Sequence, residues 1–526
     1  MLKRFFILLL AVLLVAVSIP VLAETQVRTV KAKDIQISKQ TDVLIVKEEG
    51  SDYYKLTTVD GQDLTGAIYS SISAVYDYPM FKVSARSSVD GVHDEGLLDA
   101  QGKVIIPTEY ADIAVFSDRW QAGVKLVPSN ADDKDYTFTN YSTDEKTFHR
   151  IDTVDFFFDG QKVGTLKRSE YGENYAIAHG AYICVNNRSK EYVYYNSRME
   201  KSPYKSNYSG EYDNQYKNGK NIYYHQGSGQ VAFTEGCTLQ PDEVDNPYLY
   251  DRGVLYGLQG QTIFKPAQNY DYIHDFVDGY APVSMNRYYG VIDEQGNEVI
   301  PVEYDELSYN FPVKYGYIGA VKDGKFGFLD LRGNVTCDFT YSNEIVKDRG
   351  TFATITNLDG TTIVLSAVVG ELPEHYAEVD IQGYNGCLAF VAENLNGEKG
   401  VVDIYGNTVV PFSEDNSYIY VNIDATVAVV SLGSHEYRIY QLDIPNPVEQ
   451  AQAVNQTAPQ EPAGAPAAEA TEGWTCENGH SGNTGKFCTE CGAPAPAQKS
   501  ACAACGYEFE DGNVPKFCPN CGAAQQ

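Results

Sequence analysis

Glycines at positions 260, 296, 333, 370 and 406 are separated by steps of 36, 37, 37 and 36 residues. A period that constant restricts a chain to stacked or radially arranged copies of one small unit, because each copy buries its apolar face only against the next. Four copies carry a stricter pattern of Gly, two apolar residues, Asp, two residues, Gly: Gly96–Gly102, Gly290–Gly296, Gly327–Gly333 and Gly400–Gly406. An aspartate there can hydrogen-bond the turn backbone, and the second glycine can enter the left-handed region, so the pattern specifies a β-turn between two strands. Asp99, Asp293, Asp330 and Asp403 are therefore expected to be structural.

After each turn comes a short apolar strand, expected to end at proline: Val104 to Pro107, Val299 to Pro301, Val409 to Pro411. Proline lacks the donor that a ladder needs. Segments such as Tyr110-Ala111-Asp112-Ile113, Tyr270-Asp271-Tyr272-Ile273 and Tyr304-Asp305-Glu306-Leu307 alternate enough to read as a further strand. Three or four short strands per unit result, and 45 Gly, 41 Tyr and 22 Phe against 4 Met fit an all-β chain. These residues resemble the bacterial WG repeat, with Tyr289-Gly290, Phe326-Gly327 and Lys399-Gly400 standing where Trp-Gly is usual. The resemblance covers about residues 91–411. It has a weak copy at Asp60-Gly61, and it loses the signature, though not the β composition, between Asn140 and Gly236. Units of 36 to 37 residues fit a three- or four-stranded blade, so a β-propeller of short multi-stranded blades is expected, with an open β-solenoid as the alternative.

The chain opens with Lys3 and Arg4, an apolar run from Phe5 to Val17, and Val21-Leu22-Ala23 ahead of Glu24. Basic, apolar and small-residue regions in that order make residues 1–23 a secretory signal. Residues 5–22 are also long enough to stay as a membrane anchor. Either outcome places the body outside the cytoplasm, secreted or held at the cell surface, if the positive flank stays inside; Arg28, Lys31 and Lys33 weaken that asymmetry and leave an inverted topology as the alternative. The β-repeat domain is assigned to residues 24–444. Residues 445–473, rich in Pro, Ala, Gln and Glu, bury too little apolar surface to order and read as a linker.

Seven of the eleven cysteines fall in the last 51 residues. Cys502, Cys505, Cys518 and Cys521 form two CxxC knuckles with twelve residues between them, in segment 500–523. Two such knuckles close a tetrahedral Zn²⁺ site. In segment 474–494, Cys476, His480, Cys488 and Cys491 supply a second set with imidazole as one ligand. The pair resembles a double zinc ribbon, departing from it at His480, where cysteine is usual and one residue earlier. Two structural Zn²⁺ ions are expected, in closed sites that serve contact rather than reaction. Export sits uneasily with thiolates, which oxidise outside the cell unless metal protects them. Cys184, Cys237, Cys337 and Cys387 have no ligand spacing and read as small core residues.

A net charge of −31 argues against nucleic acid, whose phosphates need a basic stripe. No phosphate-cradling loop, HExxH or Gly-x-Ser-x-Gly elbow is present. The repeated aspartates could supply a carboxylate pair for glycoside hydrolysis, but their equivalent positions favour scaffolding. The expected function is non-enzymatic binding or scaffolding of a protein or cell-envelope polymer. A carbohydrate-active enzyme and an anchored sensor are the alternatives. The tyrosine-rich middle, with Tyr192, Tyr194, Tyr195, Tyr204, Tyr208, Tyr212, Tyr216, Tyr223 and Tyr224, reads either as strand packing or as a recognition surface.

Overall fold

A computed structural model describes residues 26–448, apart from 86–91, 93, 141–144, 173–175, 206–207, 218–219, 235, 252, 266–267, 309–314 and 381–386. The leader 1–23, most of the linker and both cysteine-rich segments lie outside the described residues. The described strands belong to one compact unit ending at Gln452.

Short antiparallel strands make up this unit, interrupted among the described residues by single-turn 3₁₀ helices such as Pro241–Glu243 and Asn343–Ile345. Among the described residues the strands form eleven sheets of three to five strands. In chain order these are sheet 1 (34–57), sheet 2 (71–110), sheet 3 (112–167), sheet 4 (176–196), sheet 5 (212–232), sheet 6 (248–264), sheet 7 (272–304), sheet 8 (306–342), sheet 9 (346–371), sheet 10 (378–413) and sheet 11 (418–441). Sheets 4 and 5 lie where the repeat signature fades, so the fold outlasts the signature.

The eleven sheets make a propeller-like arrangement, and the ring closes. The strand Gln26–Lys31 does not join sheet 1. It pairs antiparallel with Glu436–Gln441 and supplies the fourth strand of sheet 11. Ala32, Ile35, Leu44 and Val46 of the first sheet then share a buried cluster with Val427, Val429 and Ile439 of the last. Similar clusters sit at the other junctions: Phe81 and Leu98 with Ile45 and Leu56 between sheets 1 and 2, and Trp120 and Phe156 with Ile183 and Tyr195 between sheets 3 and 4. Further round, Ile292 and Val283 pack with Tyr250 and Phe264, and Val291 and Ile300 pack with Ile318 and Leu329. Each unit buries its face against a neighbour, as the period requires. At the closing seam the Asn422 side-chain nitrogen donates to Asp42 at 3.0 Å.

Two expectations need correction. Proline does not end the post-turn strand: Val104–Tyr110, Glu298–Tyr304 and Thr408–Ser413 run through Pro107, Pro301 and Pro411. Each is an edge strand with one partner, so the missing donor costs no ladder bond. Tyr304 to Leu307 is not one strand. Tyr304 closes sheet 7 and Glu306 opens sheet 8, with only Asp305 between them.

The turn glycines behave as the pattern requires, Gly102, Gly296, Gly333 and Gly406 taking φ of 76°, 80°, 80° and 85°. The first glycine of the pattern has a different reason. Between the pairs Tyr289↔Tyr304 and Val291↔Ile300 the inner strand advances two residues while the edge strand advances four, so the edge strand bulges. The same slip occurs in sheets 2 and 8. The bulge drives a carbonyl toward the glycine: a Cβ on Gly96, Gly290 or Gly327 would stand 2.7 Å from the carbonyl oxygen of Ile106, Ile300 or Cys337, and one on Gly400 2.8 Å from that of Val410.

Candidate binding surface

The repeated aspartates are turn caps. Asp293 Oδ1 accepts the backbone N–H groups of Gln295 and Asn297 at 3.0 and 2.8 Å. Its other oxygen accepts from the Asn297 side chain at 2.9 Å. Asp99, Asp330 and Asp403 receive the matching backbone pairs. The environments differ enough to move the carboxyls apart. Burial pushes both Asp293 and Asp403 up; in Asp293 the hydrogen bonds from Asn297 and the turn outweigh it and the net shift is down, whereas the fully buried Asp403 ends raised. Each carboxylate serves its own sheet. Asn196 caps the turn that follows the last strand of sheet 4 through its side-chain oxygen, and Asn394 does so in the hairpin that precedes the Asp403 turn in sheet 10.

Sheet 5 uses histidine for the same task. Ser228 N–H donates to His225 Nδ1 at 3.0 Å, which places the ring proton on Nε2. The ring is buried between Tyr182 and Tyr212, with centroids at 4.7 and 5.5 Å, and Nε2 has no hydrogen-bond partner among the described residues. Glu211 Oε1 lies 3.9 Å from Nε2. Glu211 itself accepts the N–H groups of Asp245 and Asn246 at 2.7 and 3.1 Å, and His179 Nδ1 lies 3.3 Å from Asp245. This group pins the connection between sheets 5 and 6.

Burial, reinforced by His179, holds the His225 pKa down to about 4, and burial pushes Glu211 up to about 7. With its folded pKa below the unfolded value, His225 contributes stability that is present above about pH 6.5 and lost as pH falls toward 4. Glu211 and His179, whose pKa values are raised, act in the opposite sense: their contribution is present at low pH and lost as pH rises through the folded values. His225→Asn keeps a turn-capping oxygen and removes only the first effect. We expect the stability difference between variant and parent to move in the variant's favour by about 3 kcal/mol between pH 7.5 and pH 4. Urea unfolding at the two pH values measures it, and a pH-independent difference would refute the assignment.

Open aromatic surface collects at the first strands of the sheets. Between sheets 6 and 7 a cleft of about 640 Å³ is lined by Tyr248, Tyr250, Tyr272, His274, Asp271 and Asp275, among others. Between sheets 11 and 1 a second, of about 660 Å³, is lined chiefly by Asp34, Gln36, Lys39, Tyr418, Tyr420 and Tyr437. Tyr418 also borders a small hollow with Glu378 and Asp380 of sheet 10.

The tyrosine-rich middle divides between its two readings. Tyr194 and Tyr195 are 2% exposed and belong to the core, Tyr204 stacks on Tyr224 at 5.2 Å, and Tyr216 is 72% exposed. Sequence reading missed Tyr418 and Tyr420; their alternation in Tyr418-Ile419-Tyr420 was the available signal. The eight expected zinc ligands, Cys476, His480, Cys488, Cys491, Cys502, Cys505, Cys518 and Cys521, lie outside the described residues. Among the described residues no cluster of three or more His, Cys, Asp or Glu side chains is placed to hold a metal, and no helix is long and apolar enough to cross a membrane. Cys184, Cys237, Cys337 and Cys387 are buried, as core residues should be. Cys337 occupies the place of Ile300 in the preceding sheet.

The model of the WG containing repeat matches this chain at residues 96–118, 256–289 and 289–326. No curated protein matches. Among solved structures, the chain is similar to a eukaryotic initiation factor (11% identity, 66% of this chain and 88% of that one, TM-score 0.28). It is also similar to BamB from Moraxella catarrhalis (10% identity, 63% and 98%, TM-score 0.20) and to the computationally designed Ika8 protein (10% identity, 70% and 95%, TM-score 0.20).

Proposed function

We propose that this chain is an exported, non-enzymatic binding or scaffolding protein whose repeat ring and two C-terminal zinc ribbons hold a protein or a cell-envelope polymer. One observation carries the reading: the repeated carboxylates are occupied by their own turns, while tyrosines at the sheet junctions stay open to solvent. A flat apolar ring with a polar tip suits adhesion to a partner surface. Capture of envelope components by the full chain, followed by mass identification, tests it. Specific retention of a partner is expected, and hydrolysis of a glycan by the parent that is lost in a folded Asp293→Asn variant would overturn it in favour of an enzyme.

In this reading the ribbons are contact modules held by metal. Cys502, Cys505, Cys518 and Cys521 hold one Zn²⁺, and Cys476, His480, Cys488 and Cys491 the other. The exported protein should carry about two zinc ions per chain and no titratable thiol in its tail until a chelator strips the metal. Tail disulfides in place of zinc would sink this part of the proposal.

A further inference from the structure

The cleft between sheets 11 and 1 differs from its counterpart between sheets 6 and 7 in how its carboxylates are engaged. In the latter, Asp271 accepts the Asn286 N–H at 2.7 Å and Asp275 the Asn246 side chain at 2.8 Å, so both serve the fold. In the former, the hydrogen-bond partners of Asp34 are Gln36, at 2.8 Å, and the Tyr54 hydroxyl, both uncharged and neither part of a turn. Tyr418 and Tyr420 stand side by side on one face of an edge strand, 45% and 43% exposed, with ring centroids 4.2 Å apart and planes at 50°. Tyr437 completes the wall. Lys39 borders the cleft, but its ammonium is 5.1 Å from the ring of Tyr76 outside the lining.

Lys47 stands opposite Asp34 in the ladder but has its ammonium over the Tyr54 ring at 4.8 Å, and among the described residues Asp34 has no ion pair. Its carboxylate and two open aromatic rings, whose faces carry the negative part of the quadrupole, are what the cleft offers a cation. Tyr420 registers that field: burial, its bond with Tyr418 and the charge of Asp34 push its pKa up to about 12. The net charge of −31 draws positive ligands from a distance. An anion is repelled here, and a neutral polyol gains only stacking.

We infer that this cleft binds an organic cation, an alkylammonium group seated against Tyr418 and Tyr420 with its charge toward Asp34. The inference rests on the binding reading above and names the chemistry of one ligand. Titration calorimetry of the full chain with choline and with 3,3-dimethylbutan-1-ol, its uncharged isostere, tests it directly and needs no variant. Choline should bind in the millimolar range and the isostere about tenfold more weakly or not at all. Asp34→Asn and Tyr420→Leu should each weaken choline by about tenfold, with Tyr272→Leu in the other cleft leaving it unchanged. Equal binding of choline and the isostere, no heat with choline, or unchanged binding in Asp34→Asn would overturn the inference. Envelope capture separates the two proposals: a parent chain that retains a partner but ignores choline refutes the cation site alone, and a chain that retains nothing refutes the broader reading.

Discussion

Gly327→Ala is expected to destabilise the ring by about 2–3 kcal/mol, in the range of overpacking a tight site. The new methyl would sit 2.7 Å from the Cys337 carbonyl oxygen and 3.0 Å from the ring of Phe339. The ring can turn aside, but the carbonyl cannot, because the pairs Phe326↔Tyr341 and Phe328↔Cys337 anchor the bulge on either side. Gly290→Ala should cost a similar amount through Ile300 and Pro301. Gly66→Ala is the control, since its methyl would meet only Ile68 at 3.5 Å, an ordinary contact. Denaturant unfolding of the three variants measures the effect. A Gly327→Ala protein as stable as the control would show that the bulge yields.

A second large effect follows from ring closure. Removing Gln26–Lys31 should abolish the monomeric ring, because six register pairs with Glu436–Gln441 are lost at one stroke. At about 1 kcal/mol per hydrogen bond the direct loss is several kcal/mol. The seam cluster of Ala32, Ile35, Val427 and Ile439 loses its clamp as well. The strand Glu436–Gln441 becomes an unpaired edge, and such edges recruit other chains. Light scattering and sedimentation should find oligomers or aggregates, and adding a peptide with the sequence of residues 24–33 should restore part of the monomer. A truncated chain that stays monomeric with unchanged unfolding would mean that the seam contributes nothing.

Sequence alone revealed the turns because their chemistry is local. An aspartate oxygen reaches N–H groups two and four residues ahead, and a glycine supplies the positive φ, so the whole device fits inside seven residues. The reason for Gly290 was hidden because its constraint comes from a carbonyl ten residues later, brought close by a bulge that has no sequence signature. Sheets 4 and 5 were obscured for a different reason: Asn196 replaces the aspartate with the same pair of bonds, two and four residues ahead, and His225 caps its turn through a single bond three residues ahead. Two first strands, Tyr272–Ile273 and Glu306–Leu307, read from the sequence as strands but with the wrong start, because each is only two residues long and the tyrosine before it extends the apparent alternation. The cleft at the seam was out of reach, since it joins Asp34 to Tyr420 across almost the entire repeat domain.

That seam also sets an order in time. Gln26 and its partner Gln441 are separated by 441 − 26 = 415 residues, so the last sheet cannot be completed until nearly the whole domain has been made. Loop closure over such a distance is slow compared with the hairpins that build each sheet. A nascent chain therefore passes through a long-lived open arc with one strand waiting at each end. The longer that arc persists, the longer its unpaired edges are open to other chains.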